Sequence, residues 1–146
     1  MNMTKGVIIG AVGGLLTILA TLLPWADQFG AGGISIGNVS GILTGFGTLV
    51  LIIGIIGLVL ALLARGVGTV VCGVLSLLIS LFWFGAWSLV SGLINVTAGG
   101  SNGVGYGTYV ALVGAIISIV GGIILMGEKK KAALVPAPMA PAPPVA

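Results

Sequence analysis

Four stretches of the chain, at about Gly6–Leu23, Gly41–Ala64, Gly66–Leu89 and Gly107–Met126, contain no charged side chain and almost nothing strongly polar. Each approaches the roughly 20 apolar residues that a helix needs to cross the hydrocarbon of a bilayer. Hydrocarbon offers no partner for a backbone N–H or C=O, so such segments must close their hydrogen bonds within a helix. The expected fold is an all-α membrane protein, a four-helix transmembrane bundle. Composition agrees: 5% of residues are charged, against about 25% in an ordinary soluble domain. The first stretch follows Lys5 but leads into Pro24 and Trp25 with no small-x-small cleavage site, which favours a span over a signal peptide.

Charge orients the bundle. With the amino terminus inside, all five positive charges, Lys5, Arg65, Lys129, Lys130 and Lys131, fall on the cytoplasmic side. The opposite loops then hold only Asp27. The expectation is a multi-pass protein of the cell membrane with both termini cytoplasmic, the basic residues fixing topology and touching anionic lipid. Every aromatic residue then lies at or near the outer ends, among them Trp25, Trp83, Trp87, Tyr106 and Tyr109, which are expected to anchor at headgroup level. A belt on one side only points to contacts at the outer face.

A shift of sixty residues superimposes the halves without a gap. Lys5-Gly6-Val7 falls on Arg65-Gly66-Val67, and Gly45-Phe46-Gly47-Thr48 on Gly105-Tyr106-Gly107-Thr108. This predicts two tandem hairpins, residues 1–64 and 65–127, related as parallel repeats about the membrane normal, followed by a cytoplasmic tail, 128–146. The tail is basic, then rich in proline and alanine. Five prolines between Pro136 and Pro144 favour polyproline II, suited to a cytoplasmic partner.

Lipid tails are as apolar as leucine, so helices in a bilayer associate through small residues that let backbones approach. The 27 glycines supply such a stripe on every span, with Gly10 and Gly13 on the first, Gly54 and Gly57 on the second, Gly73 on the third, and Gly114 and Gly121 on the fourth. So many small positions predict a face left over for a second copy or another membrane subunit. The outer loops are expected to be small and glycine-rich, Pro24 to Ser40 and Ser91 to Tyr106, the alternation around Ile34 and Ile36 suggesting a two-stranded cap. Asn38-Val39-Ser40 and Asn95-Val96-Thr97 are acceptor sequons on that side, making Asn38 and Asn95 candidate glycosylation sites. Asn2-Met3-Thr4, inside, is expected to stay unmodified.

The chain has no histidine, two acidic residues and one cysteine, Cys72, set among valines and read as a small core residue. Nucleophile–base pairs and metal clusters are not there to be assembled, so neither an enzyme nor a cofactor is expected. The lysines beside a span argue for lipid and not for nucleic acid.

Leu23-Pro24-Trp25, together with Gly105-Tyr106-Gly107-Thr108-Tyr109, resembles small four-span membrane proteins common in bacteria and archaea, a group with no assigned activity. The topology is also similar to the claudin group, in which four helices support an outer sheet. This chain has Trp25 in its first outer loop but neither a Gly-Leu-Trp motif nor a cysteine pair. Two functions follow: a structural or accessory subunit of an oligomer or larger membrane assembly in an envelope, vesicle, virion or membrane complex, or a channel or carrier for a small neutral solute. Hydroxyls such as Thr17, Thr21, Ser76 and Ser80 are the polar groups available to a solute.

Overall fold

The computed structural model describes residues 4–31, 34–98 and 102–134. Four helices, α1 (Lys5–Leu22), α2 (Gly45–Leu62), α3 (Gly66–Ala98) and α4 (Tyr106–Leu134), are long and apolar enough to cross a membrane. They form a four-sided bundle in which α1 packs on α2, α2 on α3, α3 on α4 and α4 back on α1, while the diagonal pairs barely touch. The repeated segment 105–108 opens α4, and its counterpart 45–48 opens α2.

The boundaries correct the sequence reading in three places. The third span does not stop at Leu89; α3 continues to Ala98, so half of the expected 91–106 loop is helical. Its 33 residues reach about 50 Å, well past the roughly 30 Å hydrocarbon layer. The tail begins later than position 128, because α4 carries Lys129, Lys130 and Lys131 on its last turns before Leu134. The cap has three strands instead of two, β1 (Pro24–Ala31), β2 (Ile34–Ser40) and β3 (Gly103–Val104), in the order β2-β1-β3. Both neighbours of β1 are antiparallel to it, and Ala26 pairs with Val39 on one side and Val104 on the other. The β1–β2 register shifts between Pro24 and Ala26 and twice more before Gly30, so this is a short irregular cap and not a flat sheet. The proline-rich stretch lies outside the described residues.

Glycine sets the helix spacing. A Cβ on Gly13 would overlap the Ser118 backbone nitrogen and stand 2.8 Å from the Gly114 carbonyl oxygen; one on Gly114 would stand 2.7 Å from Thr17 Oγ1. A Cβ on Gly121 would stand 2.5 Å from Gly10 Cα. The α1–α4 seam is therefore backbone on backbone. On the other side of α4, Gly73 faces Ala115 O at 3.1 Å and Gly66 faces Gly122 O at 2.8 Å, measured from the same imagined Cβ. The faces of α2 are looser: Gly54 looks onto Ile18 and Thr17 side chains, and Gly57 onto Cys72 Cβ at 3.1 Å. Cys72 is thus a half-buried residue of the α2–α3 contact, not a fully enclosed core residue.

All seven glycines singled out for packing contact another helix of the same chain. Sequence-equivalent positions nonetheless have inequivalent neighbours. Gly13 and Gly73 correspond at the sixty-residue offset, yet both face α4, where a twofold axis would turn Gly73 towards α2.

The α2–α3 turn closes in a Schellman arrangement. Arg65 N–H donates to Leu60 O at 2.8 Å and Ala64 N–H to Ala61 O at 2.9 Å. Between them Ala64 takes φ 53°, the left-handed region where a Cβ is penalised.

Two stability outcomes follow, both measurable by denaturation in detergent micelles. Gly121→Ala should cost about 1–3 kcal/mol as an overpacking substitution, while Gly85→Ala, which has nothing within 4 Å of the new methyl, should be close to neutral. Ala64→Gly should raise stability by about 1 kcal/mol by relieving the left-handed penalty.

Candidate functional site at the capped end of the bundle

The polar chemistry of the capped end is organised by Trp25, which is fully buried on β1. Pro24 ends the extension of α1, and the chain doubles back so that the indole N–H donates to Ala20 O, 2.9 Å away in the last turn of that helix. Two glycines make room for the ring. A Cβ on Gly41 would stand 2.7 Å from Trp25 Cδ1, and one on Gly107 at 2.8 Å from the same atom. The Trp25 carbonyl is shared by the Gly105 N–H at 2.9 Å and the Trp83 indole N–H at 3.4 Å. One residue thereby ties α1, β1, α3 and the start of α4.

Around it the aromatics form a continuous cluster. Trp25 and Trp83 lie 6.3 Å apart, Trp83 stacks on Trp87 at 5.5 Å with ring planes 5° apart, and Phe46 fills the side towards Phe82. The Trp87 indole donates to Gly103 O at 2.7 Å, fastening β3 to α3. Two of the tryptophans expected at headgroup level are enclosed by the protein itself. Trp25 and Trp87 are buried, and each spends its N–H on a protein carbonyl, so neither ring needs the polar edge of a membrane. Tyr106 and Tyr109 are half exposed at the start of α4, with Phe84 edge-on to Tyr109.

The two Gly-aromatic-Gly-Thr segments do unlike work. In the first, Thr44 precedes the motif and caps α2 by accepting from Gly47 N–H at 3.0 Å. Gly47 then lies against the Gly41 backbone, and Phe46 joins the cluster. In the second, Gly105 and Gly107 lie against Pro24 and Trp25, and Tyr106 points outward.

The sequons are placed differently from each other. Asn38 is exposed on β2. Asn95 is on α3, not in a loop, and its side chain grips the returning chain. Nδ2 donates to Asn102 O at 2.9 Å while Oδ1 accepts from Asn102 N–H at 2.7 Å. Asn102, missed by the sequence reading, is buried and is the residue that brings β3 back to the helix; a matched pair of asparagines flanking a glycine-rich turn was the available signal. Lys5, Arg65 and the lysines of α4 cluster at the other end of the bundle, with the α2–α3 turn.

Inside the bundle several buried hydroxyls serve their own helix. Thr17 donates to Gly13 O at 2.9 Å, Thr21 to Ile18 O at 2.7 Å, and Thr69 to Arg65 O at 3.1 Å. Ser80 and Thr108 differ, being fully buried with no hydrogen-bond partner. Ser80 lies two turns beyond Gly73 on α3, and Thr108 two turns before Ala115 on α4, so they occupy one level of the antiparallel α3–α4 face. Among the described residues no group of three metal-ligating side chains occurs.

Compared with known proteins, the chain matches no family model, and no curated protein is significantly similar to it.

Replacing Trp25 tests the cap. Trp25→Ala should lose about 3–5 kcal/mol of stability by emptying a fully buried aromatic site, and Trp25→Phe about 1 kcal/mol for the missing indole hydrogen bond. Tyr106→Ala should change it far less. Equilibrium unfolding followed by the emission of the remaining tryptophans checks the series.

Proposed function

We propose that this protein is a structural or accessory membrane subunit that works by packing, alone or with other chains, and not by transporting or converting a solute. The observation that carries this reading is the backbone-on-backbone closure of α1 against α4, where Gly13, Gly114 and Gly121 leave no room for a single methyl group. Contact that close is what holds helices together in lipid, where packing drives their association. The hydroxyls bonded to their own helices support the same view, because they offer a solute no free donors.

The small-residue stripes are occupied within the chain, so assembly needs another surface. The part of α3 that overruns the bundle presents one: Leu89, Leu93 and Val96, spaced on one helix face, are 78%, 66% and 86% exposed beside the cap. We assign contact with a second copy or a neighbouring subunit to that face. The orientation consistent with the basic residues has both termini cytoplasmic and the cap outside the cell membrane, and the two hairpins derive from a duplicated unit whose packing has since diverged.

A carrier for a small neutral solute is the second reading, favoured by the unpartnered hydroxyls of Ser80 and Thr108. Liposome flux separates the two. The structural reading expects no solute flux above that of empty vesicles; saturable flux that Ser80→Ala abolishes would establish the carrier instead. Leu93→Glu should shift the purified protein, or its native complex, to a smaller species in cross-linking and mass analysis, with the bundle's unfolding midpoint unchanged. For topology, in a Cys72→Ser background, Asn38→Cys should label from outside intact cells and Lys131→Cys only after permeabilisation.

A further inference from the structure

At the end of the bundle away from the cap, the α2–α3 turn and the last turns of α4 border a groove of about 340 Å³. Two cations from separate elements line it, Arg65 from the turn and Lys129 from α4. The chain has two acidic residues, and neither is directed into this groove. Asp27 is in the cap. Glu128 turns the other way, its Oε2 3.1 Å from where a Gly6 Cβ on α1 would stand, and that oxygen accepts no hydrogen bond.

The rest of the lining has a different character. Leu60, Val67 and Met126 form an apolar wall on the membrane side of the two cations. Gly66 and Gly68 complete it, and they belong to the first turn of α3. The first hydrogen bond of that helix is Thr69 N–H to Arg65 O at 3.0 Å, which leaves the N–H groups of residues 66–68 ahead of the ladder. The left-handed Ala64 turn holds Arg65 at the mouth. A groove with positive charge at its rim and hydrocarbon along its wall is complementary to a molecule that is anionic at one end and aliphatic at the other.

We propose that this groove is a binding site for an anionic glycerophospholipid, with its phosphate between Arg65 and Lys129 and an acyl chain along Leu60, Val67 and Met126. The level is right for a headgroup, since Arg65 stands at the ends of two spans. The apolar wall argues for a lipid over free phosphate, which would gain nothing from it. The site differs from the diffuse attraction of the basic tail to an anionic surface, because Lys130 and Lys131, next to Lys129 on the same helix, do not line it. This inference rests on the membrane-spanning helices alone and stands whether the protein is a structural subunit or a carrier.

The test uses the full chain in neutral phosphatidylcholine nanodiscs, titrated with phosphatidylglycerol of the same acyl chains, the retained lipid being counted by native mass spectrometry. One phosphatidylglycerol should be retained in preference to phosphatidylcholine. Arg65→Gln and Lys129→Gln should each weaken retention about fivefold, the effect of one basic residue at an anionic surface. The pair Lys130→Gln and Lys131→Gln should leave it unchanged. Inorganic phosphate at millimolar concentration should not displace the lipid. Equal loss from the Lys130/Lys131 pair, displacement by phosphate, or no preference for phosphatidylglycerol in the unaltered protein would each overturn the site. Should Arg65→Gln fail to fold, Lys129→Gln, on an exposed helix end, carries the test by itself.

Discussion

The rest of the structure depends on how closely α4 lies against α1. In lipid there is no hydrophobic gain from bringing two apolar helices together, so association must come from van der Waals contact at short range. Gly10 and Gly13 on one side, and Gly114 and Gly121 on the other, make that contact main chain to main chain. Because α4 also approaches α3 through Gly66, Gly73 and Gly122, it is the helix around which the others are arranged. α2 meets its neighbours largely through side chains such as Ile18, Ala61 and Cys72, and where Gly14 approaches the Leu58 backbone the imagined Cβ stands at 3.1 Å, so α2 is held less closely.

This asymmetry explains why a sequence with two alignable halves does not make a symmetric bundle. Gly6 and Gly66 correspond at the sixty-residue offset, and both meet α4, one near Leu125 and the other near Gly122. The lengths diverge as well, α1 and α2 having 18 residues each, α3 33 and α4 29. The overrun of α3 gives the cap a support, and the overrun of α4 brings Lys129 alongside Arg65. Both surfaces to which a function is assigned arise where the second half departs from the first.

The cap shows the limit of reading such a chain by type. Tryptophan near the end of a span is ordinarily an interfacial residue, and on that rule Trp25, Trp83 and Trp87 read alike. Trp25 and Trp87 are buried because Gly41 and Gly107 clear space for one ring and because Ala20 O and Gly103 O receive the two indole protons. Those carbonyls lie 5 and 16 residues away in the chain, and Gly107 belongs to a distant helix, so no local pattern links them. Asn95 is a similar case: its tripeptide matches an acceptor signal, while its amide is engaged by Asn102 across the turn.

The sequence by itself determined the four apolar helices and the small residues through which they meet, but not how far α3 and α4 run on. Uninterrupted apolar runs and the demand for internally satisfied backbone leave a chain in lipid few alternatives. Which stripe meets which helix was decided only by the tertiary structure, because each carries similar small residues and the choice among them depends on the packing of all four at once. The third strand, the burial of Trp25 and the pairing of Arg65 with Lys129 around one groove likewise required the fold. Each joins residues far apart in the chain, and the contact that makes them a unit exists only when the bundle has closed.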